Sequence, residues 1–299
     1  MTQTPSLLYL LAFSLLATCI WALRRPNDRE PVRVLMMLLT VPALVGYLLI
    51  LEDDAGLLKF DRHLYLIDRA LLGTSPAFFL TRLLSTPVRV ALSVIYRATG
   101  PMIILWYILA RLQRVPGFGV AVTVNFILGS LLYLVVPASG PAFAFPDFRV
   151  ALPNVTPSLM VVTAPPNAIP SLHMSTAILT LLFAGRRATL RVAAGVFVTG
   201  TAVATLIGEH YVIDLIVAVP FAFFVARLAT KRYAEAFINF AVVLAWLWSI
   251  RLATPALIEH PAWLWICAIA TLLIPCVWGG LQRKATREID WPVAAEEAP

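Results

Sequence analysis

The chain has 299 residues, 60% of them hydrophobic and only 13% charged, with a formal net charge of +7 and a mean hydropathy of +0.85. A water-soluble domain carries about a quarter charged residues, so this composition excludes a soluble enzyme and points to a polytopic membrane protein. The basic residues fall in short clusters between apolar runs, the pattern that orients a membrane protein, and no nucleic-acid partner is expected.

In chain order, apolar runs over 6–23 and 34–51 each approach the ~20 residues that cross a bilayer core. They form an N-terminal transmembrane unit over 1–52. Met1 to Ser6 carry no positive charge and no small-residue cleavage site follows the first run, so it is expected to stay as a first helix. Segment 53–87 is different. Lys59, Asp61, Arg62, Asp68 and Arg69 interleave with Leu57, Leu58, Phe60, Leu64, Leu66, Ile67, Leu71 and Leu72, which predicts amphipathic helices lying in the membrane interface. Further apolar runs follow at 88–110, 117–137, 171–185, 190–208, 211–228, 234–251 and 262–281. The expected architecture is an all-α polytopic bundle of about nine transmembrane helices. It has a catalytic core over 88–232, C-terminal helices within 233–282 and a polar cytoplasmic tail over 283–299. Cys19, Cys267 and Cys276 sit inside apolar runs with no metal-ligand or disulfide spacing, and read as small core residues.

Charge sets the expected topology. Arg24, Arg25, Arg29 and Arg33, then Arg111 and Arg114, Arg186, Arg187 and Arg191, Arg227, Lys231 and Arg232, and finally Arg283, Lys284 and Arg287 fall on alternate connections. They are most of the 23 Lys and Arg, so these connections face inward and the chain runs N-out, C-in. The helices starting near Ser171 and near His210 then both begin on the outer face. From Pro137 to Pro170, both included, the chain has eight prolines. These prevent a continuous helix and predict a stiff lid of irregular backbone.

The chemistry centres on His210 and Asp214. They are four apart, so on a helix they share one face, at the edge of an apolar run where an ionisable pair is costly. A carboxylate at this spacing can take Nδ1–H of His210 and leave Nε2 as a nucleophile. Attack on phosphorus would give a phosphohistidine. His173, at the start of the preceding outer helix, is placed to protonate the leaving alkoxide. The helix opening at Pro170-Ser171 offers unpaired N–H groups to a phosphate, with Pro170 as the initiating proline, and Ser171, Asn167, Arg149 and Arg97 complete the candidate phosphate contacts. His63 and His260 read as ordinary interfacial histidines. Trp246, Trp248, Trp263 and Trp265 read as an interface belt. A lipid transporter and a non-catalytic scaffold are the rival classes.

Pro170-Ser171-Leu172-His173 followed by His210-Tyr211-Val212-Ile213-Asp214 resembles the type 2 phosphatidic acid phosphatase superfamily. Within it, the Leu172 position and the His-Tyr-x-x-Asp run are similar to the branch containing inositol phosphorylceramide synthases. The proline-rich stretch from Val136 to Phe143 also resembles that branch. The resemblance covers about 60–228. It implies a six-helix catalytic core, a His210 nucleophile, an Asp214 partner, a His173 acid and no metal or organic cofactor.

The chain departs from the family pattern in two places. The lysine followed seven residues later by Arg-Pro is not found before the histidines, and Ala204 stands where an arginine precedes the nucleophile by six residues. A site short of cations suits a phosphodiester, with one charge, better than a phosphomonoester with about −1.5 to −2. The expected function is a lipid phosphatase or phosphotransferase, with water and an alcohol equally open as the second attacker. The expected partner is a lipid of the bilayer, and the oligomeric state is open. The expected location is a bacterial inner membrane with the site facing the periplasm.

Overall fold

The structure is a computed structural model that describes residues 60–145, 167–185 and 187–286. The first two apolar runs, Arg149, most of the proline-rich stretch and the polar tail after 286 lie outside the described residues. Every regular element among the described residues is a helix.

The interfacial segment forms α1 (Asp61–Leu72) and α2 (Pro76–Leu83). Leu64, Tyr65, Ile67 and Leu71 recur at helical spacing and are buried, so α1 packs against the bundle by its apolar stripe. The sequence predicts a helix with its charges turned out. The structure instead buries Asp61 and Asp68 on that packed face.

The bundle continues with α3 (Thr86–Leu112), α4 (Phe118–Tyr133), the single turn α5 (Pro141–Ala144), α6 (Leu172–Leu182), α7 (Ala188–Thr205), α8 (Val212–Ala229), α9 (Tyr233–Glu259) and α10 (Pro261–Thr286). Four of these, α3, α7, α8 and α9, are long and apolar enough to cross a membrane, and α4, α6 and the stretch Pro261–Pro275 are shorter apolar helices. The protein is thus all-helical over its described residues, with the apolar spans of an integral membrane protein.

Helix α8 is apolar around its whole circumference, which marks a buried helix. Val217, Ala218, Phe221, Ala222 and Val225 are fully buried, and α8 packs against α1, α4, α6, α9 and α10. At its far end buried Glu235 pairs with Arg227 at 3.0 Å and with Arg232, tying α8 to α9. Helix α9 breaks at Ala253 (φ −126°, ψ 17°), two residues before Pro255. The proline ring lacks an N–H and crowds the preceding turn. Just before the break, Arg251 donates to the Val135 carbonyl at 2.6 Å and lies over the Phe60 ring at 5.7 Å. Trp248, Trp263 and Trp265 are exposed, but Trp246 is buried and donates Nε1–H to Thr271 Oγ1 at 2.8 Å. It joins α9 to α10 and takes no part in a belt.

The up–down course through α6, α7 and α8 brings the starts of α6 and α8 to one end of the bundle. The connections there interlock: Ala142 N–H donates to the Gly208 carbonyl at 2.8 Å, and Asn167 and Ala168 N–H both donate to Ala138 at 2.9 Å.

Candidate active site

His210 sits between the end of α7 and the start of α8. Its own N–H and that of Glu209 both return to the Thr205 carbonyl, at 3.0 and 3.2 Å, which closes a tight turn and faces the ring inward. The side chain is 2% exposed. Its Nδ1 is 3.0 Å from the Ala168 carbonyl oxygen and 3.3 Å from Asp214 Oδ2. Both neighbours can only accept, so Nδ1 carries the proton and the neutral ring keeps its lone pair on Nε2. The sequence predicts Asp214 as this partner. The Ala168 carbonyl, closer still, is an addition that depends on the 138–168 connection folding back and leaves no mark in the sequence.

Asp214 is buried in the first turn of α8. Its Oδ2 also accepts from Tyr211 N–H at 2.9 Å, a cap on the helix start. Its Oδ1 has no partner among the described residues.

His173 lies in the first turn of α6. Its ring stacks on Tyr96 of α3, with centroids 3.9 Å apart and an interplanar angle of 24°. It stands 6.0 Å from the His210 ring at 61°. Two imidazoles so spaced can both contact one phosphoryl group, one attacking and one supplying a proton. Tyr96 is a second residue that sequence reasoning missed.

The predicted phosphate contacts fare differently. Helix α6 starts at Leu172, so Pro170 precedes the cap and is not the first helical residue. Ser171 Oγ accepts from Met174 N–H at 3.3 Å, the ordinary N-cap bond, and the Leu172 backbone hydrogen-bonds the Tyr133 hydroxyl. Two of the donors expected to hold phosphate are therefore occupied from within the protein. Asn167 is half-buried beside the Ala168 carbonyl. Arg97 follows Tyr96 and is exposed. It acts on Glu209, whose carboxyl is pushed up by burial and drawn back down by His210 and Arg97. Ala204 is buried and supplies no charge. His63 packs on Phe60 at 5.1 Å and His260 is exposed, away from the two paired rings.

Two further carboxylates support the site from α1. Asp61 accepts from Ser139 N–H at 3.1 Å, from Gly140 N–H at 2.9 Å and from the Tyr211 hydroxyl at 2.9 Å. Asp68 accepts from Val212 N–H at 3.0 Å and Ile213 N–H at 3.4 Å, the first donors of α8. A sequence signal existed: Asp61, Leu64, Asp68 and Leu71 share one helical face, so two carboxylates stand in an apolar stripe.

Burial raises the Asp61 carboxyl from 3.8 to about 6, against the opposing bonds from Ser139, Tyr211 and Gly140. The folded protein thus holds this proton more tightly than the unfolded chain. The stability it adds is complete below about pH 3.8 and is lost as pH rises through about 6. We therefore expect the melting temperature of wild type in detergent, relative to Asp61→Asn, to fall between about pH 4 and pH 7. A difference that stays constant with pH would remove Asp61 as the titrating group.

A family model described as the PAP2 superfamily matches residues 56–228. No curated protein and no solved structure matches the chain.

Proposed function

The chain belongs to the PAP2 superfamily, and from that premise we propose that it transfers a phosphoryl or phospho-alcohol group from a membrane lipid through a phosphohistidine on His210. The observation that carries this reading is the pair of imidazoles 6.0 Å apart, one of them with Nδ1 facing two acceptors. In the first step the His210 Nε2 lone pair forms a bond to phosphorus as the bond from phosphorus to the lipid oxygen breaks. His173 gives that oxygen its proton. In the second step water or an alcohol attacks the phosphohistidine, His173 takes the proton back, and the N–P bond breaks. Asp214 and the Ala168 carbonyl hold the ring and stabilise its charge as the N–P bond forms. The rival readings as transporter or scaffold give no reason for two imidazoles to converge on an oriented Nδ1–H.

Charge favours a phosphodiester substrate. Asp61, Asp68 and Asp214 are buried at this end of the bundle, and Glu209 opposes Arg97. A substrate with one phosphate charge meets less repulsion there than a monoester near two. This supports headgroup transfer between lipids, as does the likeness of Pro170-Ser171-Leu172-His173 to the inositol phosphorylceramide synthase branch. The inward clustering of Arg and Lys supports an N-out, C-in chain of about nine helices whose site opens at the outer, periplasmic face of a bacterial inner membrane. Lipids would then reach it sideways from the bilayer, past α1 and α2.

The decisive experiment incubates purified protein with labelled lipid phosphomonoesters and phosphodiesters, with and without alcohol acceptors. A new lipid formed from a diester is the expected product. Free phosphate from a monoester, with no transfer, would make the protein a phosphatase, and no turnover of any lipid would remove the reading.

A further inference from the structure

We propose that Asp68 is a positioning residue for the nucleophile: it holds the first donors of α8 so that the Asp214 carboxylate stays turned toward His210. The inference rests on the reading of His210 as the residue that takes the phosphoryl group.

The argument is a matter of donors and acceptors at one helix start. The N–H groups that open α8 have no partner within the helix. Val212 N–H meets both Asp68 oxygens, at 3.0 and 3.1 Å, and Ile213 N–H reaches Oδ1 at 3.4 Å. Asp214 stands in the same turn. Its Oδ2 serves Tyr211 N–H at 2.9 Å and His210 Nδ1 at 3.3 Å. Its Oδ1 is buried without a partner among the described residues. Asp214 is therefore the nearest acceptor in its own turn with capacity to spare, and a carboxylate at this place in a helix normally turns back to the first N–H groups. Asp68 already occupies those donors. The two carboxylates are also close enough to repel, which disfavours a swing of Asp214 toward Asp68. Removing Asp68 leaves two buried donors unpaired, a costly state that draws the Asp214 carboxylate toward them and away from its present alignment with His210.

Asp68 belongs to α1, a helix that would otherwise be read as a surface element. It is fully packed, 1% exposed, and its hydrogen-bond partners are backbone groups of α8, so its effect on the reaction passes through Asp214. A residue that acts only through another gives non-additive losses when both are changed.

The test is a double-mutant cycle on lipid turnover with full-length protein in detergent, using the lipid on which wild type is active. Asp68→Ala is expected to lower kcat about 30-fold with KM changed less than about threefold, and to lower kcat less than about threefold in an Asp214→Asn background. Asp68→Asn keeps an acceptor oxygen for Val212 and should recover most of the loss. Should Asp68→Ala fail to fold, Asp68→Asn carries the same cycle, with an expected loss of about fivefold that disappears in the Asp214→Asn background. Equal losses in both backgrounds would mean that Asp68 only supports the fold, and would overturn the inference while leaving the functional reading in place. Absence of wild-type turnover on every lipid would overturn both.

Discussion

Replacing His210 with alanine is expected to lower lipid turnover by more than about 100-fold and to abolish any acid-labile phosphoenzyme. The expectation follows from the ring's surroundings. Nδ1 faces the Ala168 carbonyl and Asp214, so Nε2 alone is free to attack, and alanine supplies no atom that could take its place. His173 cannot substitute, because its ring is already stacked on Tyr96 at 3.9 Å and, among the described residues, no carboxylate orients it as Asp214 orients His210. Binding of lipid should survive, since His210 is only 2% exposed and adds little contact area. The loss is thus expected in kcat more than in KM. Labelled substrate, quenched and resolved on denaturing gels, measures the phosphoenzyme directly. Turnover within about tenfold of wild type, or a phosphoenzyme that persists in the variant, would place the nucleophile elsewhere.

Gly140→Ala is expected to destabilise the protein by about 2–4 kcal/mol and to depress turnover as well. Gly140 has φ +93°, and a Cβ there would lie 2.1 Å from the Glu209 carbonyl oxygen and 2.8 Å from its carbon. Both are backbone atoms, so no side-chain rotation relieves the clash. The substitution must push the Gly208–Glu209 turn away from the 137–144 connection, and His210 is the next residue along. Gly140 N–H also donates to Asp61 at 2.9 Å, so the same shift would loosen α1. Gly195→Ala in α7 is the control: a Cβ there meets nothing within 4 Å, and helix propensity favours alanine over glycine by roughly 1 kcal/mol. Melting in detergent should drop for the first variant and hold or rise for the second. Equal melting curves would mean that the 208–209 turn has room to move.

The His210–Asp214 contact was legible because it is local. A histidine and an aspartate four residues apart at the start of an apolar run need only a helix to bring them together, and α8 supplies one from Val212 onward. His173 was legible through topology, since two helices that begin on the same face bring their first turns to one level. Pro170 was read as the initiating proline, but the helix starts at Leu172 and leaves it before the cap. Ser171 is the N-cap, accepting from Met174 N–H, and its hydroxyl proton can still meet a phosphate. Arg97 was singled out for its cost inside a helix. Its exposure and the presence of Glu209 nearby depend on how α3 meets the 205–211 turn.

Composition, periodicity and the spacing of charged residues were enough to establish a membrane-embedded helical protein, the starts of its described apolar helices to within about two residues and the His-Asp pair. These follow from the solvent and from one helical turn, both of which act along the chain. The partners that complete the site come from far away in sequence: Ala168 is 42 residues from His210, Asp68 is 144 from Val212, and Asp61 is 150 from Tyr211. Such contacts arise when α1 packs its mixed stripe against α8 and when the 138–168 connection closes on itself. No local rule assigns a buried acceptor to a particular distant N–H. Packing brings the two together, and once they are removed from water each becomes costly to leave unpaired.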